Sequence, residues 1–384
     1  MLLTTCSYIP LEIPLALGIP ARRLLPKNAG HEADSYLPRD FCPYARGVLS
    51  QVWAGKVSHA LLGVAVAGSC DAMRRVYDVL RHYAPDILSF YLDVPRTQNE
   101  DAVSYYAGVL RSFAHDLAAA YPGAPPEREW PERLWRAAHE LDILRRALLT
   151  AYPTPETVQG DAGSGNKPLG VCASVTEWVE LYFALNEALA LPGSGPPDWL
   201  RAAESVRSST TSPAAPRAPV VLLMGSFLLD ATIPAALEAN RLGIAAVDSC
   251  LGWRSLKVTL SQAEGDIFLR LAAAYLRKPP CPRLLVRQAR RSWLEELLFP
   301  EGGKEAEVDG VVYFVPKFCD HGYYESVDVK DWLSEYGLPF LLLESEYGAG
   351  LSAQMHTRLA AFRELLEERQ GQQGAARAKE GRRT

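Results

Sequence analysis

The chain has 384 residues, of which 48% are hydrophobic and 22% are charged, and its formal net charge is −5. These fractions exclude wholesale disorder, and at roughly 150 residues per domain the length predicts two or three domains. The slight acidity argues against a nucleic-acid-binding protein, which normally carries a basic surplus.

The N-terminal segment is apolar but interrupted. It lacks a basic n-region and is broken by Pro10, Glu12, Pro14 and Pro20, so it predicts the first element of a fold rather than a secretory signal. No run of 18 apolar residues occurs, so we expect no membrane span and a cytoplasmic protein. Disulfides are rare in that compartment, and the seven cysteines are by default small buried hydrophobes.

Six short apolar runs have the length and composition of β-strands. Most are continuous rather than alternating, which is typical of strands covered on both faces in a parallel sheet. They are Leu61–Ala67, Ile87–Leu92, Val220–Met224, Ile244–Val247, Val311–Val315 and Phe340–Leu343. Amphipathic helical patterns follow three of them, over Ala72–His82, Ile233–Leu242 and Val327–Tyr336. Strands alternating with helices predict doubly wound α/β domains.

The middle of the chain has helical patterns and two loose segments, at 152–169 and 192–219, the second with the composition of a linker. We therefore predict a first α/β domain over residues 1–111, a helical region and linker over 112–217, a second α/β domain over 218–366, and a flexible tail over 367–384. The glycine-rich stretch 160–167 lacks the P-loop spacing, and no Gly-x-Gly-x-x-Gly occurs. We expect a flexible loop there rather than a phosphate site.

Several cysteines follow predicted strands. Cys70 and Cys319 each end an apolar run and precede an aspartate and a helix, and Cys250 follows another run. Open α/β sheets bind ligands beyond the carboxyl ends of their strands. The aspartates are natural N-caps, and a helix N-terminus favours the thiolate that metals need. Cys42 lies in a loop before Pro43, a step common at iron–sulfur ligands. From the residues alone, the sequence predicts an α/β enzyme, and a metal site is one open interpretation.

At these cysteines the sequence resembles the 2-hydroxyacyl-CoA dehydratase family, which includes the related benzoyl-CoA reductase subunits. The resemblance runs from about residue 4 to residue 366 and rests on the order and spacing of its motifs. The main matching segments are Cys6-Ser-Tyr-Ile-Pro-Leu-Glu-Ile13, Phe41-Cys-Pro-Tyr44, Gly68-Ser-Cys-Asp-Ala-Met-Arg-Arg75, Asp248-Ser-Cys-Leu-Gly-Trp-Arg254, Pro280-Cys-Pro-Arg283 and Lys317-Phe-Cys-Asp320.

The resemblance implies two Rossmann/flavodoxin-like domains that enclose a [4Fe–4S] cluster. Three cysteines hold such a cluster, and they fall here on Cys42, Cys70 and Cys319; the fourth iron is open to substrate or to a non-protein ligand. A double-cubane cluster is not expected, because this chain has no cysteine between residues 42 and 70 and none in the turn 225–227. The other cysteines are expected to be structural, with Cys250 as the strongest spare candidate; they are Cys6, Cys172, Cys250 and Cys281.

The resemblance also implies an activity. It is the elimination of water from an (R)-2-hydroxyacyl-CoA to give the (E)-2-enoyl-CoA, through a ketyl radical formed after one-electron, ATP-dependent activation by a separate iron–sulfur activator. Such enzymes are anaerobic, and a homologous second subunit, or a second copy of the chain, completes them. Two alternatives stay open: a benzoyl-CoA reductase-type subunit, and a non-catalytic electron-relay or scaffold subunit.

No catalytic residue is assigned from the sequence. Glu12 is a candidate general base, and Arg254 and Arg358 are candidate contacts for CoA phosphates, since arginine suits bidentate anion contacts. Each has a structural alternative, a buried carboxylate or a salt bridge. His321, Tyr323 and Tyr324 follow Cys319 and are candidates for the pocket wall, with packing as the alternative.

Overall fold

The structure is a computed structural model that describes residues 1–53, 61–153, 172, 174–189, 218–225, 228, 231–260, 265–299, 306–346, 348 and 350–380. The glycine-rich stretch 160–167 and nearly all of the predicted linker 192–219 lie outside these ranges.

Two four-stranded parallel sheets organise the chain. The first contains β1 (Leu2–Thr4), β2 (Ala21–Arg23), β3 (Gly63–Ala67) and β4 (Leu88–Leu92), in the order β2-β1-β3-β4. The second contains β5 (Val220–Gly225), β6 (Gly243–Asp248), β7 (Gly310–Pro316) and β8 (Phe340–Ser345), in the equivalent order β6-β5-β7-β8. Every pairing among these eight strands is parallel, which confirms the predicted pair of α/β domains.

Each of the six predicted strands is present. The strands β3, β5 and β7 are buried along their whole length, as their continuous apolar runs predict. The strands β1 and β2 were not predicted. Each has three residues, which is too short for a periodic pattern to emerge from its surroundings.

The first sheet is covered on both faces. The helices around it are α1 (Glu12–Ala16), α2 (Pro43–Trp53), α3 (Asp71–Tyr83) and α4 (Glu100–Ala120). Leu3, Val64 and Val66 pack with α2 and α3, while Leu2 and Ala65 belong to the core that contains α4. Successive strand residues therefore face opposite helical layers, as the pleat requires.

The other helices in the described part of the chain are α5 (Trp130–Thr150), α6 (Val175–Ala188), α7 (Thr232–Ala239), α8 (Trp253–Leu256), α9 (Ile267–Arg277), α10 (Arg287–Leu298), α11 (Asp320–Glu335) and α12 (Ala353–Glu380). The second sheet lies between a layer with α6, α7 and α12 and a layer with α10 and α11. Among the described residues, no helix is both long enough and apolar enough to cross a membrane.

Two helices join the halves of the molecule. The N-terminal half of α5 packs in the core of the first sheet and its C-terminal half in the core of the second. Helix α9 follows β6 in sequence but packs against α4 in the first half. The predicted boundary at 111/112 falls inside α4, and α12 continues to Glu380, where the sequence predicted a flexible tail from residue 367.

Candidate functional site

A small cavity of about 30 Å³ lies at the carboxyl ends of strands from both sheets. Cys6 follows β1, Cys70 follows β3, Cys250 follows β6 and Cys319 follows β7. Six of the seven cysteines line the cavity, namely Cys6, Cys42, Cys70, Cys250, Cys281 and Cys319. This is the edge at which open α/β sheets place their ligands.

The three cysteines predicted as ligands, Cys42, Cys70 and Cys319, all lie at helix N-termini. Cys42 directly precedes α2, while Cys70 and Cys319 are the N-cap residues of α3 and α11. The prediction that the following aspartates are the N-caps was wrong by one position: Asp71 and Asp320 are the first residues of the helices. The positive end of each helix dipole therefore lies beside one of these cysteines.

The backbone before Cys319 is strained. Phe318 has a φ of 66°, in the left-handed region that a residue with a Cβ rarely adopts. This conformation lies between the end of β7 and the start of α11, so it belongs to the turn that carries Cys319. Such strain is concentrated at functional sites, where the surrounding structure enforces it.

The thiols of the cavity influence one another. Burial raises the pKa of the Cys42 thiol to about 12, and the neighbouring Cys319 and Cys70 contribute to the rise. Arg283 lines the same cavity, with its Nη1 3.6 Å from the Sγ of Cys281. Burial opposes the charge of Arg283, but Cys70, Cys281 and Cys319 raise its pKa above the ordinary value. A half-buried cation therefore accompanies the sulfur atoms.

The donor set suits an anionic, sulfur-ligated group. Thiolates are the protein ligands of iron–sulfur clusters, and the buried Nε of Arg283 has no hydrogen-bond partner among the described residues. The described residues nevertheless contain no group of three or more Cys, His, Asp or Glu side chains arranged to hold a metal ion. A volume of about 30 Å³ has room for only a few water molecules, so a larger group requires the walls of the cavity to move apart. The ligand set Cys42, Cys70 and Cys319, and a cluster between the domains, remain predictions.

Sequence reasoning missed three cysteines of this cavity. Cys6, Cys250 and Cys281 were expected to be structural, yet all three line it. A hydrogen bond between Cys250 and Cys281 lowers the pKa of Cys250 and raises that of Cys281. Their segments belong to the resemblance, and Cys250 also follows a strand, so a signal existed. Cys172, by contrast, is buried in the core of the second sheet.

Tyrosine and arginine side chains complete the wall. The Tyr44 hydroxyl donates to the backbone oxygen of Thr5 at 2.6 Å, which holds the turn before Cys6. Arg23 Nη1 donates to the backbone oxygen of Cys250 at 2.7 Å. Tyr44 lies two residues after Cys42 in a segment of the resemblance, whereas Arg23 comes from the unpredicted strand β2 and had no sequence signal.

Glu12 and Arg254 have structural partners. Glu12 is buried and accepts hydrogen bonds from Arg145 Nη2 at 3.0 Å and from the Tyr275 hydroxyl at 2.6 Å. Arg254 is buried as well, and its Nε lies 3.3 Å from the Asp248 carboxylate. Neither side chain lines the cavity of cysteines.

The remaining candidates do not line the cavity either. Arg358 is exposed on α12, and the Tyr324 side chain is 79% exposed. His321 and Tyr323 do not line the cavity in the part of the chain that the structure describes. Its tyrosines are instead Tyr8 and Tyr44, close in sequence to Cys6 and Cys42.

Comparison with known proteins identifies the family. A family model described as the D-component of 2-hydroxyglutaryl-CoA dehydratase matches residues 6–366, a range that contains all six cysteines of the cavity. The chain belongs to this dehydratase family. The resemblance inferred from the cysteine segments is thereby confirmed.

Two relatives illustrate the breadth of the family. The chain is 24% identical over 370 residues to the dehydratase subunit YjiM of Escherichia coli (strain K12), which covers 94% of this chain and 90% of that protein. It is 28% identical over 130 residues to the (R)-phenyllactyl-CoA dehydratase beta subunit of Clostridium sporogenes, which covers 34% of this chain and 33% of that protein.

Proposed function

We propose that the chain is the iron–sulfur subunit of a 2-hydroxyacyl-CoA dehydratase, which removes water from an (R)-2-hydroxyacyl-CoA to give the (E)-2-enoyl-CoA. The observation that carries the proposal is the placement of Cys42, Cys70 and Cys319. The chain belongs to the dehydratase family, and its three cysteines lie at helix N-termini and line one cavity at the strand ends of both sheets.

The proposed cofactor is one [4Fe–4S] cluster held by Cys42, Cys70 and Cys319. When bound, it would supply an electron at low potential. The substrate thioester, reduced to a ketyl radical, would expel its 2-hydroxyl group as hydroxide, and loss of a β-proton and return of the electron would give the enoyl-CoA. The chain itself restricts bulk water, because Cys70 and Cys319 are buried and Cys42 is half-buried. Its three helix N-termini and the Arg283 guanidinium stabilise negative charge in the cavity.

The proposed enzyme contains more than this chain. One relative is named as a beta subunit, which supports assembly with a homologous second subunit. A separate ATP-dependent iron–sulfur activator would deliver the electron, and the complex would work in the cytoplasm of an anaerobic cell. The acyl-CoA substrate then reaches a cavity to which both halves of this chain contribute.

The test is the iron content of the chain prepared without oxygen. We expect about four irons per chain in the wild type, the content of one cubane cluster. Cys42→Ser, Cys70→Ser and Cys319→Ser should each lose the cluster, because each removes a thiolate ligand. The matched control is Cys172→Ser, which changes a buried cysteine away from the cavity and should keep the iron. An iron-free wild-type chain would contradict the proposal.

Activity assays then separate the alternatives. The chain, its partner subunit and the activator should release water from a 2-hydroxyacyl-CoA. Reduction of an aromatic acyl-CoA without loss of water would indicate a benzoyl-CoA reductase-type subunit instead. If the complex still dehydrates its substrate when only this chain carries Cys70→Ser, the chain has a scaffold role.

A further inference from the structure

A second cavity, of about 90 Å³, borders the cavity of cysteines. The two share Cys6, Ser7 and Arg23 as wall residues, so one end of the second cavity lies beside the thiols. Its other walls come largely from α5 and α6. They are predominantly leucine and include Leu141, Leu144, Leu148 and Leu185. The first three occupy positions i, i+3 and i+7 of α5, which form one face of that helix.

The polar groups along the apolar part of this cavity bind one another. Arg145 Nη2 donates to the Glu12 carboxylate at 3.0 Å and to the Tyr275 hydroxyl at 2.7 Å. The Tyr182 hydroxyl and the Ser255 hydroxyl are hydrogen-bonded at 3.2 Å. The charge of Arg145 is therefore already matched by Glu12. Among the described residues that line the cavity, the other cation is Arg23, which lies at the shared end beside the cysteines.

The cavity is thus polar and cationic at one end and apolar at the other. We infer that it binds the acyl side chain of the substrate and selects a short aliphatic one. This inference rests on the proposed function and deepens it. The thioester and the 2-hydroxyl group lie at the end shared by Cys6 and Arg23, and the side chain beyond carbon 2 lies among the leucines.

The volume sets the size of the side chain. An engineered apolar cavity of about 150 Å³ binds benzene, which corresponds to about 25 Å³ per carbon atom. On that scale 90 Å³ holds three or four carbons. A phenyl ring on carbon 3 exceeds this volume, so it requires the leucines of α5 to move.

The charge pattern excludes a second carboxylate on the acyl group. A 2-hydroxyglutaryl side chain would place its distal carboxylate among Leu141, Leu144 and Leu148, where the nearest lining cation, Arg145, is already paired. A buried charge without a partner is strongly disfavoured. The chain is therefore expected to differ in substrate from the enzyme after which its family model is described.

The test measures binding of unreactive saturated thioesters, so that it does not depend on turnover. The iron-loaded chain in its complex is titrated without oxygen with acetyl-, butyryl-, hexanoyl-, octanoyl-, glutaryl- and 3-phenylpropionyl-CoA. We expect affinity to rise roughly fourfold per added methylene as far as hexanoyl-CoA, from the transfer free energy of a buried methylene. It should then fall for octanoyl-CoA, and the glutaryl and phenylpropionyl thioesters should bind at least tenfold more weakly than hexanoyl-CoA.

Three variants test whether the acyl side chain binds among these leucines. Leu144→Trp fills the cavity and should weaken hexanoyl-CoA at least tenfold while leaving acetyl-CoA unchanged. Leu148→Ala enlarges the cavity and should tighten 3-phenylpropionyl-CoA about tenfold relative to hexanoyl-CoA, which keeps the inference testable if the tryptophan variant does not fold. Leu117→Ala is the matched control, since Leu117 is an equally buried leucine of α4 that does not line the cavity. It should leave every affinity ratio as in the wild type.

The outcomes separate this inference from the proposed function. If glutaryl- or 3-phenylpropionyl-CoA binds tightest, or if the variants weaken all thioesters equally, the inference is overturned while dehydratase activity and iron content stand. If no 2-hydroxyacyl-CoA is dehydrated but hexanoyl-CoA binds tightest, the acyl site stands and the proposed reaction fails. If no thioester binds, the inference is overturned, and iron content still tests the proposed cofactor on its own.

Discussion

The Lys278 side chain is buried, and no carboxylate among the described residues forms a salt bridge with it. Its Nζ donates to the backbone oxygen of Ser7 at 2.5 Å and to the Ser7 hydroxyl at 2.9 Å, and it lies 4.3 Å from the centre of the Tyr8 ring. These contacts only partly replace water. Burial therefore lowers the pKa of Lys278 from 10.5 to about 7. Ser7, the residue after Cys6, is thus held by a lysine whose charged form is destabilised by burial.

This lowered pKa predicts a pH dependence of stability. Between pH 7 and pH 10.5 the unfolded chain holds a proton on Lys278 that the folded chain lacks, so this residue makes stability rise with pH. The cost of keeping the charge is fully present below pH 7. Lys278→Met removes that cost, so its free energy of unfolding relative to the wild type should fall by about 2 kcal/mol from pH 7 to pH 9, at about 1.4 kcal/mol per pKa unit. Urea unfolding under reducing conditions measures this difference.

The control for Lys278 is a lysine in water. Lys330 is exposed on α11, and the stability of Lys330→Met relative to the wild type should not change over the same pH range. A relative stability of Lys278→Met that stays constant from pH 7 to pH 9 would contradict the lowered pKa.

At the scale of single residues, the sequence predicted half of the cysteine cavity. Cys70 and Cys319 were found because a strand, a cysteine and a helix follow one another locally. Cys281 has no such local signal: it lies after α9, and only the approach of the two sheets brings it to the cavity. Residues that meet through tertiary structure alone carry no periodicity that a single sequence can reveal.

At the scale of elements, the turn between β6 and α8 depends on Gly252. A Cβ added at this position would lie 2.1 Å from the backbone oxygen of Val247, at the end of β6. Gly252→Ala therefore forces a shift of the turn that carries Cys250. We expect a loss of about 1–3 kcal/mol in the free energy of unfolding, the usual cost of overpacking, measured by thermal unfolding.

Gly108→Ala is the matched control for Gly252. Gly108 lies within α4, and a Cβ added there meets no heavy atom within 4 Å. Alanine is a better helix former than glycine, so this variant should gain roughly 0.5–1 kcal/mol. Equal stability of the two variants would show that the contact with Val247 does not constrain the turn.

The elements differ in how well the sequence predicted them. Buried strands such as β5 and β7 have continuous apolar runs, which are typical of parallel strands covered on both faces. The strands β1 and β2 pair over only three residues each and gain their stability from the sheet rather than from their own composition. For helix α9 the sequence shows an apolar face, but it does not show that this face packs against α4.

At the scale of the whole molecule, α9 ties the second half of the sequence to the first sheet. Leu271 and Leu276 of α9 are buried in one core with Leu110 of α4 and Leu2 of β1. Helix α5 contributes to this core and to that of the second sheet. The two sheets therefore share helical layers, and we expect them to lose structure together.

Leu271→Ala tests this coupling. Leu271 is 1% exposed, and its truncation leaves a cavity between α9 and α4, which should lower the free energy of unfolding by about 2–5 kcal/mol. Hydrogen exchange followed by mass spectrometry should then show equal losses of protection in β3 and β7, although only β3 belongs to the sheet beneath α9. Leu269→Ala on the same helix is the control, because Leu269 is 41% exposed and its truncation should change stability by no more than about 0.5 kcal/mol. Loss of protection in β3 alone would mean that the halves unfold independently and that the shared helices do not couple them.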